Sequence, residues 1–192
     1  MSYTDVEYKF KHIGENVSIG KNVYFRYPEL VEIGNNVIID DFCYFTTALS
    51  VGDYVHIAPH CTCIGGKSSK LVMSDFSGLS AGCRIICGSD DYNTGLTNPN
   101  IPTQFRGKTA IGEIFIGKHA VLGTNTVVHP LVKINEGAAT GSLTLVTKDL
   151  EAWSIYIGSP ARKMKDRDME NIIGLEKAFL KSLQDETINS KR

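Results

Sequence analysis

The chain has no long hydrophobic run and no excess of charge. None of its segments approaches the roughly 18 consecutive apolar residues of a transmembrane helix, and Lys plus Arg (20) nearly balance Asp plus Glu (21), for a net charge of −1. A near-neutral chain offers no electrostatic case for nucleic acid or an anionic membrane surface, so neither partner and no membrane span is expected. The opening MSYTDVEYKFKHIG lacks a basic stretch followed by an apolar run, which makes the cytoplasm the expected location. Cys61-x-Cys63 has no second pair at zinc-site spacing, so no metal is expected. Free cysteines instead suit a core as small apolar residues. A length of 192 residues is that of one domain.

Helical periodicity is also missing from most of the chain, and a six-residue period stands in its place. Units begin at Ile13-Gly14, Ile19-Gly20, Ile33-Gly34, Val51-Gly52, Ile116-Gly117 and Leu122-Gly123. Phe25, Ile39, Phe45, Ile57, Leu79, Ile85, Val128, Ile134, Thr140 and Val146 share the phase. A helix would scatter these positions, whereas a solenoid of short strands with a corner every six residues points each of them inward. Two residues earlier stand small or β-branched residues, among them Val23, Val37, Cys43, Val55, Cys61, Cys83, Ala120 and Thr126, which fit a narrow coil. Gly34-Asn35-Asn36, Asp40-Asp41 and Gly52-Asp53 supply corner residues. About nineteen units, or roughly six triangular turns, run from Ile13 to Val146.

Two insertions break the register, one from Gly65 to Lys70 and a longer one from Tyr92 to Glu113. Long loops on rigid scaffolds usually carry function. After Val146 the repeat stops, and a helix is predicted from about Asp166 to Gln184, with Ile172, Ile173, Leu175, Phe179, Leu180 and Leu183 on one stripe. Such a helix is expected to cover the open end of the coil, while Tyr3, Val6, Tyr8 and Phe10 alternate as a covering strand for the other end. The resulting division is an N-terminal cap over 1–12, a coil over 13–164 with its loop at 92–113, and a helix and tail over 165–192.

These residues carry a resemblance. The repeat, the closing run Ile155-Tyr156-Ile157-Gly158-Ser159-Pro160-Ala161-Arg162-Lys163-Met164, and Gly88-Ser89-Asp90-Asp91-Tyr92 followed by Asn98-Pro99 and Ile101-Pro102 resemble the hexapeptide-repeat acyltransferases. Within that superfamily the chain is most similar to the N-acyltransferases of nucleotide-linked amino-deoxysugars. The resemblance implies an all-β fold, a left-handed parallel β-helix with a projecting loop and a C-terminal helix. Handedness comes from the resemblance alone, since the general rule for parallel crossovers favours a right-handed path. It further implies a homotrimer with sites between adjacent coils, an acyl-coenzyme A donor, acetyl-CoA foremost, and no metal.

Acyl transfer from a thioester needs a nucleophile, a proton acceptor and a donor for the developing oxyanion. Many sugar O-acetyltransferases of the superfamily carry a histidine base beside the long loop. Here that stretch reads Ser89-Asp90-Asp91-Tyr92, which favours an amine acceptor with Asp90 or Asp91 taking its proton. His56, outward on a flat side, is the candidate base for the rival O-acylating reading, and a non-catalytic β-helix scaffold is the rival from another class. Ser80, His60 and Tyr92 are candidate acceptor contacts; His12, His119 and His129 have no assigned chemistry. For the donor, Gly117, Gly123, Ala139, Gly141 and Ser142 are expected to leave a lane of small residues for pantetheine along the coil edge. Lys148, Arg162 and Lys163 would meet the coenzyme phosphates.

Overall fold

The computed structural model describes residues 8–189. Short strands stack in parallel register into a left-handed solenoid whose three inward columns are those of the repeat. One column runs Ile13, Ile33, Val51, Met73, Ile116 and Ile134. The second runs Ile19, Ile39, Ile57, Leu79, Leu122, Thr140 and Tyr156, and the third Phe25, Phe45, Cys63, Ile85, Val128 and Val146. All are buried except Ile13, which is 48 % exposed. Among the described residues, its strand His12–Ile13 pairs on one side only, with Val31–Ile33. The five cysteines are buried and unpaired, with Cys63 in the third column and Cys43, Cys61 and Cys83 at the small inward position.

Corner chemistry differs from expectation. Glycine and asparagine hold some of the left-handed positions, but Phe42, Tyr54, Phe76, Leu131, Leu143 and Trp153 also have φ between 53° and 67°. Such a backbone strains a bulky residue, and contacts between coils hold it in place. The N–H groups of Tyr54, Phe76 and Trp153 donate to carbonyls of the preceding coil, at Asn35, Asp53 and Glu136. Their rings stack, Tyr54 on Phe76 at 5.0 Å and Phe76 on His119 at 5.3 Å. Asn35 and Asp53 serve as acceptors, taking N–H bonds from Glu15 and Asn35 respectively.

The first insertion does not loop out from a corner. Tyr44–Val51 and Thr62–Met73 run as long paired strands whose register slips at Thr47, opposite Gly66. The hydroxyls of Thr47 and Ser69 meet at 2.6 Å inside, satisfying each other where the slip buries them. The second insertion leaves the coil through the antiparallel pair Gly88–Ser89 and Ala110–Ile111.

Both end covers depart from the sequence expectation. Tyr3 and Val6 lie outside the described residues, while Tyr8 and Phe10 pack their rings on Phe25 without forming a strand. At the other end, Arg162–Asp166 is an antiparallel strand on Ser154–Ile157, and it covers that edge in place of the helix. Helix Met169–Asn189 begins after Asp168, whose Oδ1 accepts the N–H of Asn171. It then lies along the flank, over the aromatic corner. Phe179 meets Tyr54 and Phe76 edge-on at 5.3 and 6.3 Å. Glu176 bonds Lys118 Nζ at 2.5 Å and His119 Nε2 at 2.9 Å, and Arg167 donates to the carbonyls of His119 and Gly137.

The Lys118 ammonium, and after it His119, holds the Glu176 carboxyl below its ordinary value of 4.5. A depressed carboxylate contributes stability above its unfolded value, and that stability is lost as pH falls through the folded one. The helix is therefore expected to loosen below about pH 4.5. Melting wild type and Glu176→Gln from pH 7 to 3 checks this: the gap between them should close in the acid range, and a gap that persists to pH 3 refutes it.

Candidate active site

Residues at the third corner of the coil build a cavity of about 450 Å³ between the two insertions. Its walls come from Arg26, Tyr27, Thr46, Gly66, Ser68, Ser89, Asp90 and Arg106 among others. Asp90 sits at one end, its carboxylate in a close ion pair with Arg106 Nη2, both side chains about one-fifth exposed. Arg106 Nε is buried with no hydrogen-bond partner. Arg106 thus ties the long insertion to the acid that precedes it.

The neighbouring acid does something else. Asp91 accepts bonds from the Thr94 hydroxyl and from the N–H groups of Asn93, Thr94 and Lys108. The Thr94 hydroxyl, then the backbone donors, pull its pKa down to about 2. A carboxylate so occupied ties the loop from Asn93 to Lys108 together, whereas Asp90 meets a single guanidinium at the cavity wall. Tyr92, a candidate acceptor contact, is 81 % exposed and lines neither this cavity nor those described below.

His56 and Ser80 lie elsewhere, in a cavity of about 420 Å³ on the second face with Tyr54, Phe76, Gly78 and Val121. His56 Nε2 is 2.8 Å from Asp40 Oδ2, and the pair is solvent-exposed. His60 is at a left-handed corner and stacks on Phe42 at 5.0 Å. It lines neither cavity. In one protomer, then, Asp90 and the Ser80–His56 group face different spaces that share no residue.

The donor-side residues fall into two groups. Gly117 is buried, and a Cβ there would come within 2.6 Å of Glu136 N; one at Gly123 would meet Thr140 O at 2.6 Å. A Cβ at Gly141 would meet Ile157 Cγ2 at 2.9 Å. These glycines let successive coils touch. Ala139 lies within a strand, and Ser142 is an exposed corner. Lys148 and Arg162 do come together, around a cavity of about 310 Å³ with Tyr156 and Pro160. Lys163 is engaged by Glu151 at 3.1 Å and Asp166 at 2.9 Å, so its charge is already paired. Sequence reasoning missed Arg26, Tyr27 and Arg106; Arg106 beside Gly107 inside the long insertion was the available signal.

A parallel β-helix of hexapeptide rungs, interrupted by a loop that borders a polar cavity, defines a hexapeptide-repeat acyltransferase. No family model matches the sequence. The dTDP-4-amino-4,6-dideoxy-D-glucose acyltransferase of Escherichia coli is 36% identical over 188 residues, covering 93% of this chain and 95% of that protein. AntD, an N-acyltransferase from Bacillus cereus solved with dTDP and 3-hydroxybutyryl-CoA, superposes with a TM-score of 0.85 at 36% identity, over 91% of this chain and 92% of that one. A variant of AntD solved with dTDP-4-amino-4,6-dideoxyglucose and coenzyme A gives 0.84 at 36% identity, over 90% and 91%. The chain belongs to the family of these amino-sugar N-acyltransferases. AntD has been solved with substitutions at one serine and at one aspartate ten positions apart.

Proposed function

We propose that the protein transfers an acyl group from coenzyme A to the amino group of a nucleotide-linked amino-deoxysugar, a step of surface polysaccharide or glycan synthesis in the cytoplasm. The observation that carries the reading is the Asp90 carboxylate, fixed by Arg106 at the end of a cavity built from both insertions. An incoming sugar ammonium finds an acceptor for its proton there. The freed amine attacks the thioester carbonyl, a C–N bond forms, the C–S bond breaks, and the departing thiolate takes up a proton. An amine needs no histidine for this, and none lines the cavity.

We further propose a homotrimer, and the same geometry supports a site shared between copies. Ser80 and Asp90 are ten positions apart, the spacing of the two residues substituted in AntD, yet they line separate cavities of one protomer. If both serve one acceptor, Ser80 of one copy meets Asp90 of the next, which puts the site between protomers. Lys148 and Arg162 supply positive charge for the coenzyme phosphates at the C-terminal end. Thiol release from acetyl-CoA and longer acyl-CoAs, with dTDP-amino-deoxysugars and their hydroxyl analogues as acceptors, tests the reading. Turnover with the amines alone is the expected result; turnover with the hydroxyl analogues alone would favour an O-acyltransferase based on His56.

A further inference from the structure

The ion pair that closes the Asp90 end of the cavity does not explain itself as a stabilising contact. Arg106 and Asp90 are each about one-fifth exposed, and Arg106 Nε is buried with no hydrogen-bond partner. Desolvation of two largely buried ions offsets much of their attraction, and an orphaned donor is a further unfavourable contribution. The long insertion nevertheless fixes the backbone of Arg106 from both sides. The Arg106 N–H donates to Thr103 O at 3.1 Å, closing the turn Thr103–Phe105. Gly95 lies so close to the Arg106 carbonyl that any side chain there would collide with it. Gly107, at φ 68°, sits against Asp91, where a Cβ would stand 2.6 Å from Oδ2. That same carboxylate takes the N–H of Lys108 at 3.2 Å. The insertion thus builds a mount for one guanidinium, directed back at the coil.

We infer that Arg106 is a positioning residue for acyl transfer: it holds Oδ1 of Asp90 and so aims the carboxylate at the acceptor's amine, and carrying it is the task of the Tyr92–Glu113 insertion. The inference rests on Asp90 as the proton acceptor of the preceding section and adds what orients it. A lone carboxylate turns freely about its side-chain bonds, whereas one held at an oxygen by a planar guanidinium does not. Aim matters because a misplacement of about 1 Å can lower a rate by about a hundred-fold. The cavity's other arginine cannot take over. Arg26 belongs to the rung of Phe25, with those of Phe45 and Cys63 between it and the rung of Ile85 that leads into Asp90. At about 4.8 Å per rung that separation is about 14 Å, beyond the reach of an arginine side chain.

Steady-state kinetics of Arg106→Ala in the full chain, with acetyl-CoA and dTDP-4-amino-4,6-dideoxyglucose, tests the inference. The turnover kcat should fall by roughly ten- to a hundred-fold, the loss expected for a hydrogen bond between charged groups. Because Arg106 acts through Asp90 and does not touch the acceptor, the acceptor KM should hardly move. Millimolar guanidinium chloride should restore part of kcat, and sodium chloride at the same ionic strength none of it. Arg106→Lys should recover only part, since a point charge lacks the planar fork. Coenzyme A affinity equal to wild type checks that the variant is folded; should Arg106→Ala fail that check, Arg106→Gln, which keeps a polar side chain, is read in the same way. Wild-type kcat in the variant overturns the inference. So does a loss that falls in KM, or one that neither lysine nor guanidinium repairs, because Arg106 would then be a brace of the loop alone. Full activity of Asp90→Asn would instead remove the proton acceptor and with it the preceding reading.

Discussion

Asp90→Asn is expected to lower kcat/KM for the amine acceptor by roughly a hundred- to ten-thousand-fold, the range for loss of a positioned proton acceptor. The change keeps the shape of the side chain and removes the charge that meets Arg106, so the cavity wall persists while the base is lost. His56→Ala should do less, because His56 bonds Asp40 on another face and shares no cavity with Asp90. Asp91→Asn should act mainly on acceptor KM, since its carboxylate orders the loop from Asn93 to Lys108. Mixing inactive Asp90→Asn and Ser80→Ala proteins under conditions that reshuffle protomers should restore activity, in about a quarter of the sites of random trimers. Near-wild-type rates for Asp90→Asn would remove the proposed base. The reverse ordering, with His56→Ala the more damaging, would point to O-acylation.

The largest effect on stability is expected from Phe45→Ala. Phe45 is 1 % exposed and stacks on Phe25 with ring centroids 5.0 Å apart and planes 9° from parallel; Cys63 is the next residue up its column. A thin coil has few side chains to close over the gap, so the loss should be about 3–5 kcal/mol. For a chain of this size that lowers Tm by roughly 10 °C. A Tm depends on protomer concentration wherever assembly accompanies folding, so both proteins must be melted at one protomer concentration. A shift of less than about 2 °C would mean that neighbouring rungs repack, against the nearest-neighbour character of a solenoid.

The inward columns were legible because the period of six is local: each rung repeats the same turn and buries the same position, so Ile57, Leu79 and Leu122 announce themselves in sequence. The two insertions were legible for the same reason, as breaks in a regular phase. Asp90 and Asp91 could be singled out as a pair, since they close the last unit before the long break. The sequence could not separate Asp90 from Asp91, because adjacent carboxylates differ only in what folds back on them: Arg106 from sixteen residues away on one, the loop's own amides on the other.

Bulky residues at left-handed corners were illegible too, as their strain is offset by partners a whole coil away, such as Asn35 for Tyr54 and Asp53 for Phe76. The helix could be read from its stripe, but its place along the flank depended on Tyr54, Phe76 and His119 coming into line, which only stacking of the coils achieves. Arg26 and Asp90 are 64 positions apart in the chain and share one cavity. The six-residue period by itself determined the coil and its core, since burial follows from each unit's own pattern. Which charges face one another across the coils was decided by the tertiary structure, because rung stacking brings together residues that no local spacing relates.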